Sequence, residues 1–337
     1  MKPQLLADKQ LAFLVAVNLL IVVLATAWSG GQFVGVDNLQ SMASQVPELG
    51  LLSIGVTLAM VSGNGGIDLS GVALANLAAV LAGVLVPHWV SPDASPVAYT
   101  IVFALVALVT GVAGGALNGL LISRVQLTPI LATLGTQLLF TGIAVVATNG
   151  STVRIGYVEP LAAIGNETVL GVPIPFCLFF AVILTTGAVL KRSAFGVRLF
   201  LMGTNPKAAR YAGIPQPRML MLTYTACGAL AAMAGILIAS RTASAKWDYG
   251  SSYLLITILI TVMAGVRPAG GYGRMSCLFF SATALQVLSS TFNLVGISNF
   301  FRDCAWGLLL LLFLASTHVL PALMRSLGRG HSMRRHP

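Results

Sequence analysis

Long apolar segments dominate the chain, and their length limits the folds that are open to it. A helix needs about 20 residues to cross the hydrocarbon core of a bilayer. Charged residues make up only 8% of the 337 residues, whereas soluble domains carry about 25%. The sequence therefore predicts an all-α membrane protein with about ten transmembrane helices. The predicted spans cover residues 11–28, 46–63, 71–88, 97–121, 128–148, 174–190, 219–240, 251–266, 275–295 and 303–323.

The distribution of lysine and arginine orients these spans. An even number of spans leaves both termini on one side, and 15 of the 19 basic residues then lie on that side. Because basic loops are retained in the cytoplasm, we predict that both termini are cytoplasmic. The basic residues on the opposite side are Arg154, Arg241, Lys246 and Arg302. The four tryptophans also fall near that opposite side, at Trp28, Trp89, Trp247 and Trp306.

The net charge of +10 has a topological explanation. The basic residues sit in short connections between apolar segments and at the tail, not on one face with interleaved aromatic residues. No nucleic-acid partner is therefore expected. Lys2 and Lys9 before the first apolar segment are also typical of a signal peptide. Because many further spans follow, we expect an uncleaved first helix that contacts membrane lipid.

Motifs that carry catalytic or metal-binding chemistry are scarce in this sequence. The chain has no GxxxxGKS/T phosphate loop, so it does not hydrolyse ATP by that route. Its four cysteines and four histidines are dispersed, which predicts no disulfide framework, metal site or cofactor. Of the nine acidic residues, only Asp68 and Asp303 are assigned near spans, which argues against a proton relay. We expect no enzymatic activity.

A polar, glycine-rich segment separates the second and third spans. Residues 62–71 contain four glycines, which break a helix, and Asp68 is costly wherever it meets lipid. Irregular backbone at this depth must face protein or a water-filled cavity. Two interpretations stay open. The segment is either a cavity or gate with Asn64, Asp68 and Ser70 as candidates, or a surface turn in which Asp68 caps the third span.

The fourth span carries a stripe of small residues. Gly111, Gly115 and Gly119 are spaced by four residues, a pattern that is typical of close helix packing in membranes. Asn118 lies beside this stripe. It either lines a transport pathway or bonds a neighbouring helix.

The fifth span carries a polar stripe. Thr133, Thr136 and Gln137 share one helical face at spacings of three and four residues. Such a stripe on a lipid-buried helix is expected to face the interior of the bundle. These three residues are therefore candidates for the wall of a pathway for polyols.

The loop of residues 191–218 holds six of the basic residues assigned to the cytoplasmic side. Asn205 is a favoured N-cap, Pro206 suits a first helical position and Gly213 suits a C-terminal stop. They predict a two-turn helix. Such a helix either rests on anionic headgroups or docks into a partner protein. A second basic segment forms the tail, residues 324–337.

A series of motifs in this order resembles the permeases of ribose- and xylose-type sugar ABC importers. The most specific is Gly66-Ile67-Asp68-Leu69-Ser70, and the resemblance extends from about Asp37 to Thr317. The motifs lie at residues 37–39, 54–58, 66–70, 129–134, 148–151, 195–196, 203–205, 208–214, 270–274 and 292–297.

The resemblance implies a type II-like ABC importer permease in the bacterial inner membrane, formed by residues 1–337 as a single domain. Two permease subunits, identical or different, would line the pathway along their shared interface. A cytoplasmic ATPase would bind below, and a periplasmic sugar-binding protein would deliver substrate from above. Asn293, in the last motif, joins the pathway candidates. Residues 191–218 would form the coupling loop, which contacts the ATPase through Asn205, Pro206, Ala208, Ala209, Arg210 and Gly213.

The chain also departs from the family pattern. Gly71-Val72 follows Ser70 where such permeases usually carry Val-Gly, and residues 254–258 lack two carboxylates that are typical of the family. These departures bear on substrate identity and on coupling. Because the docking helix has a face of small residues, Ala209→Asp is expected to break ATPase docking while leaving folding intact.

Together these features predict the pore subunit of an ATP-driven importer for a monosaccharide or a related polyol. Alternating access would be driven by a separate ATPase subunit. The alternative is a secondary transporter or facilitator of small polar solutes that acts without an ATPase. The two differ in whether uptake depends on ATP hydrolysis or on an ion gradient.

Overall fold

The computed structural model describes residues 9–298 and 301–315, and helices make up most of that backbone. The backbone over 301–315 is helical. The preceding α-helices are α1 (Lys9–Trp28), α2 (Val36–Val61), α3 (Gly71–Leu85), α4 (Pro96–Ser123), α5 (Pro129–Thr148), α6 (Glu159–Asn166), α7 (Ile174–Arg192), α8 (Ala194–Thr204), α9 (Pro206–Tyr211), α10 (Gln216–Thr242), α11 (Tyr253–Met263) and α12 (Met275–Leu294).

Eight helices in the described part of the chain are long and apolar enough to cross a membrane. Each coincides with a predicted span, so the expectation of a helical protein with several membrane spans is confirmed. The eight are α1, α2, α3 extended by the 3-10 turn Val86–His88, α4, α5, α7, α10 and α12.

Two predicted spans differ from this set. The eighth is the 11-residue α11, which at about 1.5 Å per residue is too short to cross a bilayer alone. The tenth, residues 303–323, extends past the described residues. Lys2 and the tail of residues 324–337 also lie outside the described residues.

The helix α2 starts earlier than its apolar run. It begins at Val36, whereas the predicted span begins at residue 46. Its first turns carry Asn38, Ser41 and Gln45, and their polarity hid the helix from a search for apolar segments. The loop 191–218 likewise contains two helices, α8 and α9, where one was predicted.

Short strands join the connections at one end of the bundle. The strand β1 (Val153–Arg154) pairs with a strand at Ser244–Ala245, which we number β4, in an antiparallel ladder. The strands β2 (Thr168–Val169) and β3 (Val172–Pro173) form a second ladder as a hairpin. At the turn of this hairpin Leu170 and Gly171 both have positive φ angles, of 54° and 81°, as a two-residue type I′ turn requires.

The helix α10 lies at the centre of the bundle and packs against α2, α3 and α4. Most residues of α2 and α10 are buried, whereas α1, α5 and α7 bury only a few. The outer helices expose large apolar side chains, including Leu138 and Leu184. Contiguous apolar surface on this scale fits a protein whose surroundings are lipid.

The α4–α10 contact is close because glycines lie on both helices. A Cβ atom at Gly111 or Gly115 would overlap the backbone of Gly228. A Cβ atom at Gly119 would lie 2.9 Å from the Cα atom of Met221. The predicted packing role of the small-residue stripe is confirmed, since these helices approach too closely for larger side chains.

We expect Gly115→Val to destabilise the protein by about 2 kcal/mol, because its side chain would be forced into the Tyr224 carbonyl and push α4 off α10. The matched control is Gly135→Val on α5, where a Cβ atom meets no heavy atom within 4 Å. Thermal unfolding of the detergent-purified variants measures the difference. Equal melting temperatures for the two variants would contradict the role of the stripe.

Candidate functional site

The glycine-rich segment after α2 turns back into the protein. The helix ends at Val61, and Gly63, Asn64 and Gly65 then adopt positive φ angles of 83°, 59° and 67°. Glycine adopts this conformation without steric cost. The turn returns Asp68 to the interior, where it is 4% exposed. The part of the irregular segment that carries Asp68 and Ser70 is thus covered by protein, as irregular backbone at membrane depth requires.

A directed series of hydrogen bonds leads from α5 to the carboxylate of Asp68. Thr136 Oγ1 donates to Asn118 Oδ1 at 2.6 Å, and Asn118 Nδ2 donates to Ser70 Oγ at 2.7 Å. Ser70 then donates its hydroxyl and its backbone N–H to Asp68 Oδ1, at 2.7 and 2.9 Å. Each of these residues is at most 4% exposed. We call these four residues and Thr133 the interior polar network.

Thr133 closes this network around the segment before α3. Its Oγ1 accepts the backbone N–H of Leu69 at 3.2 Å and donates to the Pro129 carbonyl at 2.8 Å. Ser70, and not Asp68, occupies the N-cap position of α3, which differs from the alternative in which Asp68 caps this helix. The Asp68 carboxylate accepts the backbone N–H of that cap residue. Burial raises the pKa of the Asp68 carboxyl, and the two bonds from Ser70 oppose this rise.

The residues of the interior polar network are buried and hydrogen-bonded to one another or to neighbouring backbone, so the network joins α4 and α5 to the segment before α3. For Asn118 the structure favours the interpretation as a bond to neighbouring elements. Asn64 is exposed at the turn, and Gln137 is half-buried on the same face of α5 as Thr133. Only five of the eight pathway candidates are therefore brought together here.

A polar cleft of about 310 Å³ opens at the other end of α2. One wall is the first turns of α2, and the other is the last turns of α12, which carries the sequence candidate Asn293. Two side-chain hydrogen bonds link the walls, from Gln286 Nε2 to Gln45 Oε1 at 3.3 Å and from Ser290 Oγ to Asn38 Oδ1 at 3.0 Å. The residues that line it are Asn38, Ser41, Met42, Gln45, Gln286, Ser290, Asn293 and Leu294.

The side chains that line this cleft are uncharged, and most of them can form hydrogen bonds. Six of its eight lining residues carry an amide or a hydroxyl, and none carries a charge. Such groups both donate and accept hydrogen bonds, as do the hydroxyls of a sugar or polyol. Sequence reasoning named only Asn293. The missed signal is the spacing of polar residues, at 38, 41 and 45 on α2 and at 286, 290 and 293 on α12.

A buried ion pair lies one turn beyond the cleft on α2. Glu48 is 1% exposed, and its Oε1 accepts a hydrogen bond from Arg241 Nε at 2.6 Å. The hydroxyls of Tyr253 and Tyr249 donate to Glu48 Oε2 at 3.2 and 3.4 Å. The sequence-based assignment of only two acidic residues near spans is wrong, since Glu48 lies inside α2. The ion pair ties α2 to the end of α10.

The short helix α9 has the predicted caps. Asn205 Oδ1 accepts the backbone N–H of Ala208 at 3.0 Å, Pro206 starts the helix and Gly213 follows it with a φ of 74°. The expectation for Ala209 is corrected. It is 3% exposed and packs inward, so Ala209→Asp would disturb the chain's own core.

The outward face of α9 consists of other residues. Lys207, Ala208 and Arg210 are exposed, and Tyr211 is 93% exposed. An exposed tyrosine of this kind is enriched at interface hot spots. Sequence reasoning did not single out Tyr211, because helical spacing alone does not show which face of α9 is exposed.

The chain is similar to membrane transport proteins over most of its length. The family model described as branched-chain amino acid transport system / permease component matches residues 38–315. The ribose import permease protein of Escherichia coli is 30% identical over 302 residues, which cover 89% of this chain and 90% of the relative. The ribose import permease protein of Bacillus subtilis is 30% identical over 301 residues, covering 88% and 89%.

A third relative carries a different substrate name. The autoinducer 2 import system permease protein of Photorhabdus luminescens is 30% identical over 305 residues, which cover 89% of each chain. No solved structure matches the chain significantly.

We expect Arg241→Met to lower the free energy of unfolding by about 3 kcal/mol, because it leaves the Glu48 carboxylate buried without its cation. The matched control is Lys246→Met. It removes an exposed partner of Asp248, 3.2 Å away, and is expected to cost less than about 0.5 kcal/mol. Thermal unfolding in detergent separates the two variants. A similar small shift for both would mean that the buried pair contributes no more than an exposed one.

Proposed function

This chain belongs to the family of branched-chain amino acid transport system permease components, and on that premise we propose that it forms the transmembrane pore of an ATP-driven importer. It is a transport component and not an enzyme. The named relatives are import permeases. The family is described as a component of a transport system, which indicates that its members work together with other subunits. This favours an ATP-driven importer over a facilitator that acts alone.

For the topology, we propose ten spans in the bacterial inner membrane, with both termini in the cytoplasm. The two spans beyond the eight long helices would be the predicted segments 251–266, which contains α11 and its flanking turns, and 303–323. Contacts between residues assigned to the periplasmic side support their placement on one common side. Arg154 in β1 lies opposite Ser244 in β4 in the antiparallel ladder. The Trp247 indole N–H donates to the Gly150 carbonyl at 3.1 Å. All four residues are on the predicted periplasmic side.

The proposed substrate is a neutral monosaccharide or polyol, and the observation that carries this proposal is the uncharged polar cleft. In the proposed topology the cleft opens toward the periplasm, where a sugar-binding protein would release its cargo. A branched-chain amino acid carries an ammonium and a carboxylate, which are bound best by charged partners. The cleft offers none among its lining residues. Two of the relatives are named for ribose import.

The roles proposed for the sequence candidates divide between two regions. Asn293 would contact substrate in the cleft. Asp68, Ser70 and Asn118, with Thr133 and Thr136, would hold the cytoplasmic ends of α3, α4 and α5 in register, and Gln137 and Asn64 would lie beside them. In this assignment the network supports the pathway from outside it.

The proposed partners are a cytoplasmic ABC ATPase, a second permease subunit and a periplasmic binding protein. The basic loop 191–218 would receive the ATPase, and α9 would enter a groove on its surface. Three observations support this: the capped end of α9, the inward anchor Ala209 and the exposed Tyr211. The second subunit, identical or different, would complete the pathway.

We expect cells that carry this chain with its cognate ATPase and binding protein to take up neutral pentoses, hexoses or polyols and not L-leucine. Gln45→Leu should reduce that uptake about tenfold, because one buried hydrogen bond to a substrate hydroxyl contributes about 1.5 kcal/mol. Leu39→Ala, on the same turns of α2 but outside the cleft lining, is the control. Saturable uptake of L-leucine with no uptake of sugars or polyols would overturn the substrate assignment.

We expect Tyr211→Ala to weaken ATPase association at least about tenfold, since truncating a hot-spot tyrosine costs about 2 kcal/mol or more. The matched control is Tyr157→Ala, a tyrosine that is 80% exposed on the predicted periplasmic side. Co-purification of the ATPase with each variant, quantified at several concentrations, measures the effect. Normal association with Tyr211→Ala would place the docking surface elsewhere.

A further inference from the structure

Three backbone segments meet without side chains between them at the end of α2. A Cβ atom at Gly63 would lie 2.7 Å from the Cα atom of Gly203. A Cβ atom at Gly203 would overlap the Val61 carbonyl oxygen and would lie 2.5 Å from the backbone nitrogen of Gly271. We call Gly63, Gly203 and Gly271 the glycine joint. No side chain larger than hydrogen fits at its centre.

A hydrogen bond closes the joint. The backbone N–H of Gly271 donates to the Val61 carbonyl at 3.1 Å. Val61 is the last residue of α2, and the last carbonyls of a helix have no partner within the helix. The loop before α12 therefore satisfies the end of α2, and the two segments are attached through the backbone itself.

Each segment of the joint leads to a different functional element. Gly203 lies in the last turn of α8, and the docking helix α9 begins three residues later at Pro206. Gly63 follows α2, and Gly271 precedes α12 by four residues. The joint thus connects the docking helix to the two helices whose opposite ends form the walls of the polar cleft.

The separation of joint and cleft is set by the length of α2. From Gln45 to Val61 the helix rises by about 1.5 Å per residue, or about 24 Å in all. A helix of this length moves largely as a rod, and Pro47 removes one backbone hydrogen bond just below the cleft. A displacement at the joint would therefore reach the cleft, where Pro47 offers a place to bend.

We propose that the glycine joint transmits the movement of the docking helix to both walls of the cleft, with Gly203 as its positioning residue. This inference rests on the proposed function. Backbones in direct contact have no side-chain rotamers to absorb a displacement, so α8, the end of α2 and the loop before α12 move as one unit. Rotation of this unit tilts α2 and α12 together, and bending of α2 at Pro47 then changes the distance between the cleft walls and couples ATP hydrolysis to substrate passage.

The first test compares Gly203→Ala with Gly135→Ala in the complete complex in liposomes. The added methyl at Gly203 pushes α8 off Val61, whereas a Cβ atom at Gly135 meets nothing within 4 Å. The expected result for Gly203→Ala is normal ATPase co-purification and retained ATP hydrolysis, with sugar uptake per ATP reduced about tenfold. Unchanged uptake per ATP in Gly203→Ala would overturn the proposal. A packing role alone lowers protein yield and not this ratio.

The second test does not depend on the folding of a glycine variant. The four native cysteines are first replaced. The substitutions Thr204→Cys and Tyr272→Cys are then introduced, and the two new thiols are joined by a short bifunctional maleimide. Because the joint moves as one unit, this cross-link is expected to leave ATP-driven uptake intact. The matched cross-link between cysteines at Ser41 and Asn293, across the cleft, is expected to abolish uptake. Loss of uptake with the Thr204–Tyr272 cross-link would show sliding at the joint and overturn the inference.

The unmodified complex distinguishes this inference from its premise. If that complex showed no ATP-dependent uptake of any neutral sugar or polyol, both the proposed function and the proposed role of the glycine joint would be refuted. If it showed such uptake while Gly203→Ala and Gly135→Ala gave equal uptake per ATP, only the proposed role of the glycine joint would be refuted.

Discussion

The structure depends on one constraint, which is that a chain in lipid must bond its backbone polar groups internally. Helices meet this constraint by themselves, but their ends and breaks do not. Here the backbone N–H of Gly271 donates to the carbonyl of Val61, the last residue of α2 before the break. The carboxylate of Asp68 is likewise bonded by Ser70. The regions of irregular backbone are therefore the places where several elements are forced together.

The helix α2 links most of the features that bear on function. Its first turns line the polar cleft, Glu48 in its middle pairs with Arg241, and its last residue lies in the glycine joint. The interior polar network begins seven residues after its end, at Asp68. In the proposed mechanism, these contacts would let α2 transmit a change at one end to the other, as alternating access requires.

Family membership and site chemistry answer different questions about this chain. The matched family is named for branched-chain amino acid transport, while the named relatives import ribose or autoinducer 2. Family membership therefore establishes a permease component and leaves the substrate open. If the cleft binds substrate as proposed, its neutral amides and hydroxyls would favour a neutral substrate with hydroxyl groups.

The membrane class, eight of the candidate spans, the glycine packing of α4 and the caps of α9 were predictable from the sequence. These follow from composition, segment length and local backbone preferences, which act within a few residues. Three features became visible in the folded chain. Asp68, Asn118 and Thr136 belong to one buried network, and Ala209 packs inward. Polar turns of α2 and α12 face each other across a cleft. Those outcomes depend on which helices are neighbours. In a membrane, the choice of neighbouring helices depends on close packing between segments that are distant in the sequence. The apolar pattern of a single helix does not show which helices will be its neighbours.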